Sequence, residues 1–302
     1  MVSFPLGSAN PALLAQCPEV ARPDDADHLP VHITEWGASG TPVLMVHGGV
    51  QGGIGGGPIN FQAQKPLSDR GWRLRLLDRP GFGASPSRGP DDMEVDGSLI
   101  ADLLDEECHL IGHSFGGASS LLAAAQRPEN VRSLILIEPA LKGMLMVDPV
   151  SQQDGTSAKV AEVVMKHLMT ARTPAEFALS FVGSMGSSAQ GEANVSTQNI
   201  MGDPAKATAL GCSLLRSRAA LPQSMLAAAD IVRERAIPTL VISGGFSPGF
   251  DATCAAVARL TGGMHEVVAC SSHFVQQDSA ERFNALADAF MKQAETRPGR
   301  GR

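Results

Sequence analysis

The sequence predicts an α/β protein with a doubly wound, mostly parallel sheet and an inserted helical cap. Short apolar runs rich in Val, Ile and Leu alternate with longer amphipathic runs, a pattern typical of buried parallel strands joined by helices. The segment 141–229 breaks this alternation, because it contains helical patterns and no convincing strand. A cap inserted there would cover the carboxyl ends of the strands, where open α/β sheets bind ligands.

The elements follow from this alternation in chain order. Residues 31–36 alternate polar and apolar side chains, as an edge strand does, and the other predicted strands are short apolar runs. These strands are 42–46, 74–77, 109–111, 134–137, 239–242 and 266–269. Helical periodicity covers 115–126, 253–260 and 280–294 in the core, and 158–169, 174–182 and 221–229 in the cap.

The predicted organisation has four parts. Residues 1–30 are rich in Pro, Asp and Ala and lack periodicity, so we expect a loosely attached N-terminal arm. The core comprises 31–140 and 230–294, and the cap comprises 141–229. The tail 295–302 is expected to be disordered.

Composition and charge exclude several classes of function. The chain has 302 residues, a net charge of −7 and no basic stripe, which argues against a nucleic-acid partner. The uncharged stretches are too short and interrupted to span a bilayer, so no membrane partner is expected. Five cysteines at scattered positions predict neither a zinc site nor a disulfide framework, and a reducing cytoplasm is the expected compartment. The chain has no tyrosine, which excludes any mechanism that needs a phenol.

The stretch GHSFG at 112–116 predicts a catalytic nucleophile. It fits the pattern G-x-S-x-G, follows an apolar strand and opens a helix, which is the context that this motif requires. The sharp turn exposes the Ser114 hydroxyl and directs the Phe115 amide towards the same point. That point lies at a helix N-terminus, which favours developing negative charge.

Four motifs together resemble those of the α/β-hydrolase fold family. They are VLMVHGG at 43–49, DRPGFGAS at 78–85, GHSFGG at 112–117 and SHF at 272–274. The resemblance covers about residues 31–293 and implies the family's fold, but it says little about the substrate. It also implies that His273 is the general base, with His265 as the weaker alternative.

The acid of the triad is the point where the sequence departs from the commoner pattern of the family. That pattern implies an Asp after the seventh strand, but Ser247 occupies the position and the nearest acid is Asp251. The family also places an acid at the end of its sixth strand, here 134–137, where Glu138 stands. We assign the acid to Glu138 and keep Asp251 and Asp148 as alternatives.

The glycine-rich stretch 49–58 has two interpretations. By resemblance, the N–H groups of Gly49 and Phe115 form the oxyanion hole, with Val50 as a substitute for Gly49. A dinucleotide-binding loop would need an acid about 20 residues further on, near Asp78. Asp78, however, already belongs to the DRPGFGAS turn, and the stretch lacks the Lys of a phosphate-binding loop.

The predicted function is that of a serine hydrolase that cleaves a carboxylic ester or lactone through an acyl-enzyme, without a cofactor or metal. We expect a small, apolar ester or lactone substrate under a methionine-rich cap; the oligomeric state is not predicted. Lactonase is the narrower hypothesis, because some lactonases of this fold carry the same acid. The alternatives are a C–C bond hydrolase, a thioesterase, an amidase or a non-catalytic receptor. The methionines concerned are Met144, Met146, Met165, Met169, Met185, Met201 and Met225.

Overall fold

A computed structural model describes residues 10–186 and 192–296, and these contain one seven-stranded sheet. The order across the sheet is β1-β3-β2-β4-β5-β6-β7, with β1 antiparallel to its neighbour and every other pair parallel. The predicted doubly wound, mostly parallel sheet is confirmed. The strands are β1 (Ile33–Trp36), β2 (Thr41–Val46), β3 (Trp72–Leu77), β4 (Cys108–His113), β5 (Val131–Ile137), β6 (Thr239–Ser243) and β7 (Met264–Val267).

Helices connect the strands and cover both faces of the sheet. Short 3-10 helices add turns at Ala26–His28, Gln62–Arg70, Pro128–Asn130 and Lys142–Met146. The α-helices are α1 (Pro11–Leu14), α2 (Gly57–Asn60), α3 (Met93–Asp102), α4 (Ser114–Gln126), α5 (Pro149–Gln153), α6 (Thr156–Thr170), α7 (Pro174–Gly183), α8 (Glu192–Met201), α9 (Pro204–Arg216), α10 (Pro222–Glu234), α11 (Pro248–Thr261), α12 (Val275–Asp278) and α13 (Ala280–Glu295).

The central strands are mostly apolar because both of their faces are buried. In β2, Leu44 and Val46 enter the hydrophobic layer that contains residues of α3, α4 and α10. Val43 and Met45 enter the opposite layer, which contains Phe283 of α13. Successive strand side chains point to opposite faces, so a strand covered on both sides is apolar at most of its positions. Full burial of each such side chain stabilises the fold by about 1.5–3 kcal/mol.

The cap lies between β5 and β6. The described residues between these strands form helices and turns, apart from two isolated bridges that Gly186 and Arg218 make to residues outside the cap. Helix α10, which the sequence analysis included in the cap, packs against α4 and α11 and buries Ala229 and Val232. An amphipathic pattern predicts a helix but does not say which layer covers its apolar face.

The N-terminal arm is attached more firmly than its composition predicts. Leu13 of α1 is buried in the main core cluster, and Cys17 forms a disulfide with Cys212 of α9. The expectation of no disulfide was wrong. The two Cα atoms lie 5.4 Å apart although 195 residues separate them in the chain, and sequence spacing carries no signal for such a contact. Disulfides are more typical of oxidising compartments than of a reducing cytoplasm. The cytoplasmic location, which the structure does not test, stays a prediction.

Two further expectations concern the chain ends and the membrane. Helix α13 continues through Glu295, where the predicted tail begins, while residues 1–9 of the arm and 297–302 of the tail lie outside the described residues. Among the helices of residues 10–186 and 192–296, none is both long enough and apolar enough to span a bilayer.

Candidate active site

The nucleophile motif forms a sharp turn between β4 and α4. Ser114 is the first residue of α4 and has a φ of 54°, in the left-handed region that non-glycine residues rarely adopt. Its carbonyl accepts a hydrogen bond of 2.9 Å from the Ala140 N–H, and its residue surface is only 7% exposed. Strained backbone of this kind persists only where its surroundings enforce it, and it is common at functional sites.

His273 and Glu138 form a buried pair at the carboxyl edge of the sheet. Nδ1 of His273 lies 2.6 Å from Oε2 of Glu138, and the Gly244 N–H donates to Oε1 of Glu138 at 2.8 Å. Glu138 follows β5, the strand that the family resemblance counts as the sixth, and has a φ of 39°. The other imidazole nitrogen, Nε2 of His273, is buried and has no hydrogen-bond partner among the described residues. An orphaned buried nitrogen is costly unless a function requires it.

Burial shifts both members of the pair towards their neutral forms. Loss of water lowers the pKa of His273, and the nearby Lys142 ammonium lowers it further. Loss of water also raises the pKa of Glu138, while the Gly244 N–H and Lys142 favour its carboxylate. His273 is therefore a neutral imidazole at neutral pH, the form in which Nε2 accepts a proton.

The two alternative acids, Asp251 and Asp148, have hydrogen-bond partners other than the imidazole of His273. Oδ1 of Asp251 accepts a hydrogen bond of 3.2 Å from the Gly245 N–H. Asp148 caps α5, accepts a bond from the Ser151 N–H and pairs with Arg259. Of these carboxylates, only Glu138 hydrogen-bonds to His273.

The other histidines of the sequence analysis take separate places. Nε2 of His265, the weaker candidate for the base, lies 2.9 Å from the Ser243 hydroxyl, on the edge strand β7. Nε2 of His113 lies 2.9 Å from the carbonyl oxygen of His273, so this histidine links the nucleophile turn to the loop that carries His273. His47 belongs to the loop described next.

The loop after β2 packs directly on the nucleophile turn. A Cβ atom on Gly48 would lie 2.5 Å from the Cβ atom of Ser114, so only glycine permits this approach. His47 links this loop to the turn after β3: the Arg79 N–H donates to its Nε2 at 3.1 Å, and its Nδ1 donates to the Gly48 carbonyl at 2.8 Å. Because Nε2 must accept and Nδ1 must donate, the ring is neutral, in agreement with the burial that lowers the pKa of His47 to about 3.

A buried arginine, which the sequence analysis did not single out, orients the peptides of this loop. Nη1 of Arg79 donates to the carbonyl of Gly49 at 2.9 Å and lies 3.4 Å from that of Gly48. In a trans peptide the C=O and the following N–H point in opposite directions. The N–H groups of Gly49 and Val50 are therefore directed away from Arg79, and neither donates to a described residue.

The arginine is itself fully enclosed. Its Nε donates to Asp96 at 2.7 Å and its Nη2 to Asp91 at 2.9 Å, while its guanidinium lies 4.3 Å from the Phe115 ring centroid. Asp91 also accepts a bond of 2.9 Å from the Gln51 N–H, so the network holds the loop at two points. The sequence signal that could have identified Arg79 is a basic residue inside the DRPGFGAS turn, followed by the short acidic segment 91–96.

Asp78 has a structural role in the turn. Its Oδ1 accepts a bond of 2.8 Å from the Gly57 N–H, and its Oδ2 accepts one of 3.0 Å from the Ala84 N–H. Both oxygens are therefore used within the protein, and Asp78 is only 3% exposed. The arrangement does not support the dinucleotide-binding alternative, which needs this carboxylate for the ligand.

The methionines do not form a single lining under the cap. Met144 and Met225 are buried in the main hydrophobic core, whereas Met146, Met169 and Met201 are exposed. Plain core packing accounts for the first two. Among the described residues, no three side chains of the types that bind metals lie close enough together to hold an ion.

Comparisons with known proteins agree with this fold. The profile of the alpha/beta hydrolase fold matches residues 41–280, and the chain belongs to this family. A 2-hydroxy-6-oxononadienedioate/2-hydroxy-6-oxononatrienedioate hydrolase of Cupriavidus pinatubonensis is 25% identical over 86% of this chain and 90% of that protein. A 2-hydroxy-6-oxo-6-phenylhexa-2,4-dienoate hydrolase of Comamonas testosteroni is 35% identical, but the match spans only 40% of this chain and 43% of that protein.

Solved structures show the same architecture. An esterase of Thermogutta terrifontis has a TM-score of 0.60 at 20% identity, with 89% of this chain and 95% of that chain covered. A meta-cleavage product hydrolase of Pseudomonas fluorescens IP01 has a TM-score of 0.62 at 16% identity, with 93% and 99% covered. The neighbours thus include both ester and carbon–carbon bond hydrolases, and the chain is an α/β hydrolase by fold.

Proposed function

We propose that this protein is a serine hydrolase that cleaves a carboxylic ester or lactone through an acyl-enzyme intermediate. The observation that carries the proposal is the His273–Glu138 contact of 2.6 Å, which leaves the opposite imidazole nitrogen buried and without a partner. Ser114 stands in a strained turn, and the neighbouring His113 links this turn to the backbone carbonyl of His273. In the proposed triad Ser114 is the nucleophile, His273 the base and Glu138 the acid.

The chemistry follows from these positions. Nε2 of His273 takes the proton of Ser114 as its Oγ attacks the substrate carbonyl, and Glu138 stabilises the imidazolium through Nδ1. The N–H groups of Gly49 and Phe115 stabilise the oxyanion, and Val50 offers a third donor because Arg79 orients its peptide as well. The imidazolium then protonates the leaving alcohol, and water activated by the same nitrogen releases the acyl group.

A second candidate is hydrolysis of a carbon–carbon bond next to a ketone. It is favoured by the relative from Cupriavidus pinatubonensis, because that match extends over 90% of a protein named for a 2-hydroxy-6-oxo-dienoate substrate type. The proposed triad suits both reactions, since each needs a base, an oxyanion hole and a proton for the leaving group. The two differ in the leaving group that must be protonated, which is an alkoxide in one case and a stabilised carbanion in the other.

A substrate panel tests the proposal. Purified protein is assayed with p-nitrophenyl esters, γ- and δ-lactones and a 2-hydroxy-6-oxo-6-phenylhexa-2,4-dienoate, alongside the variant Ser114→Ala. We expect turnover of an ester or lactone that the variant loses. Turnover of the dienoate alone would favour the second candidate. Saturable binding of these compounds without turnover would instead indicate a receptor and would contradict both.

A further inference from the structure

Lys142 places a positive charge beside the candidate active site, and its ammonium has no hydrogen-bonding partner among the residues that the structure describes. Its ammonium lies 4.4 Å from the centroid of the Phe250 ring, and that ring lies 4.6 Å from the imidazole ring of His273. Along the chain, Lys142 comes two residues after Ala140, whose N–H binds the Ser114 carbonyl. Lys142 is therefore linked to His273 through the Phe250 ring and to Ser114 through the backbone at Ala140.

The surroundings of this ammonium leave its charge poorly balanced. The side chain is half-buried, and its Nζ forms no ion pair or hydrogen bond with the residues that the structure describes. Burial lowers the pKa of Lys142, whereas the charge of Glu138 raises it. An aromatic face attracts a cation but accepts no full hydrogen bond, so three N–H donors remain available.

A fully buried cation of this protein, Arg79, is arranged differently. Arg79 meets two carboxylates and two carbonyls, and its side chain is 0% exposed. Removal of a charge from water costs free energy unless a counter-charge or hydrogen bonds replace the water. The described residues supply those partners to Arg79 but give the half-buried ammonium of Lys142 only the face of the Phe250 ring, an arrangement in which a ligand can provide the counter-charge.

We propose that Lys142 is a specificity-determining residue that binds a carboxylate on the substrate, so that this hydrolase prefers esters or lactones that carry a negative charge. The inference rests on the proposed serine hydrolase function. Phe250 separates Lys142 from His273, so the carboxylate occupies a part of the substrate away from the scissile bond. Hydrogen bonds between charged groups are strong enough to produce a 10- to 100-fold preference.

A competing explanation is that Lys142 only tunes the His273–Glu138 pair through its charge. That role would affect every substrate equally, because both charged and neutral esters depend on the same base. The ratio of kcat/KM for a matched charged and neutral substrate cancels such a common effect. A suitable pair is the p-nitrophenyl monoester of glutaric acid and the corresponding methyl diester, which have similar shape but differ in charge.

The experiment compares the wild type with Lys142→Met, Lys142→Arg and a control, Lys65→Met. Lys65 is exposed and its ammonium also lies over an aromatic ring, that of Trp36, at 5.8 Å. We expect the wild type to prefer the charged ester at least tenfold, Lys142→Met to lose at least tenfold of that ratio, and Lys142→Arg to restore part of it. The control should keep the wild-type ratio.

The outcomes separate the two proposals. Equal falls for both esters in Lys142→Met, or no preference in the wild type, would overturn the role of Lys142 while the serine hydrolase function stands. Absence of turnover with both esters would count against the proposed function. In that case calorimetric binding of the same pair to Ser114→Ala decides the role of Lys142: tighter binding of the charged ester that Lys142→Met abolishes would support it, and equal or absent binding would overturn it.

Discussion

Two clusters of buried charge contact the nucleophile turn, one around Arg79 and one around His273, and they differ in how completely their hydrogen bonds are satisfied. Around Arg79, the guanidinium binds Asp91, Asp96 and the loop carbonyls. Around His273, the Nε2 atom has no partner among the described residues, and the ammonium of Lys142 has only an aromatic face. A satisfied network fixes geometry, whereas an incomplete one is stable only where a ligand or a reaction completes it. The difference separates the part that holds the loop from the part that is expected to react.

The largest expected effect tests the incomplete cluster, which is the one around His273, Glu138 and Lys142. Glu138→Gln should lower kcat by about 10³–10⁴-fold, because the amide cannot stabilise the imidazolium or hold the same tautomer. The matched change Asp251→Asn should lower kcat less than about 3-fold, because Asp251 binds the Gly245 N–H and not the imidazole. Steady-state kinetics with an ester substrate provides the comparison. The opposite ranking would show that Asp251 is the acid.

The next effect tests the satisfied cluster, which is the one formed by Arg79, Asp91 and Asp96. Arg79→Met should lower the free energy of unfolding by about 3–5 kcal/mol, because it leaves Asp91 and Asp96 buried without their counter-charge. Arg73→Met is the control, since Arg73 pairs with carboxylates that are about half exposed and should cost less than about 1 kcal/mol. Urea denaturation measures both. Similar losses for the two variants would contradict the distinction between the clusters.

A smaller effect concerns the arm beside the satisfied cluster. A cavity of about 50 Å³ is lined by Val20 of the arm, Asp91 of the cluster and Arg216 of α9, so the Cys17–Cys212 bond fastens the arm next to Asp91. Replacement of both cysteines by serine should lower the unfolding free energy by about 2–4 kcal/mol. A reductant should destabilise the wild type by a similar amount and leave the variant unchanged. An unaffected wild type would contradict this role.

The smallest effect is the share that one buried histidine has in the pH dependence of stability, to which both clusters contribute. Burial lowers the pKa of His47 and His273 to about 3 and that of His113 well below its usual value. Below about pH 6.5 the unfolded chain binds protons at these histidines that the folded chain does not bind. The contribution of these histidines to the free energy of unfolding is therefore full above about pH 6.5 and falls as the pH is lowered towards the folded-state values, by up to about 1.4 kcal/mol per pH unit for each histidine.

Denaturation at pH 7, 6 and 5 measures this slope. His113→Asn should reduce the slope by the contribution of one proton, and His28→Asn, at an exposed position, should leave it unchanged. A slope that does not differ between these variants would show that the burial of His113 does not govern its protonation.

The sequence predicted most of the fold because the strands of this sheet are short apolar runs with turns between them. The family resemblance also predicted His273 and Glu138, which the structure brings together at the carboxyl edge of the sheet. Helix α3 was missed because Gly97 and two acids interrupt its apolar pattern, and Gly97 is needed for close packing on Leu122 of α4. Hydrophobic periodicity detects the apolar face of a helix and not a close helix–helix contact at a glycine.

Arg79 and the disulfide were missed for a related reason. A charged residue in a glycine-rich turn usually faces solvent, and only the tertiary position of Asp91 and Asp96 makes burial of Arg79 tolerable. Cysteine pairing over 195 residues likewise depends on where the arm meets α9. Local pattern thus predicts the elements, while the partners of buried charges and thiols are set by how the elements pack.

Covalent labelling with a fluorophosphonate tests the central claim most directly, because the reagent requires an activated serine and an oxyanion hole but little substrate specificity. The intact mass of the wild type should increase by one adduct, and Ser114→Ala should remain unmodified. Glu138→Gln should react much more slowly, while Asp251→Asn should react at nearly the wild-type rate. A folded wild type that takes up no adduct, or a Ser114→Ala variant that is still labelled, would contradict Ser114 as the nucleophile that His273 and Glu138 activate.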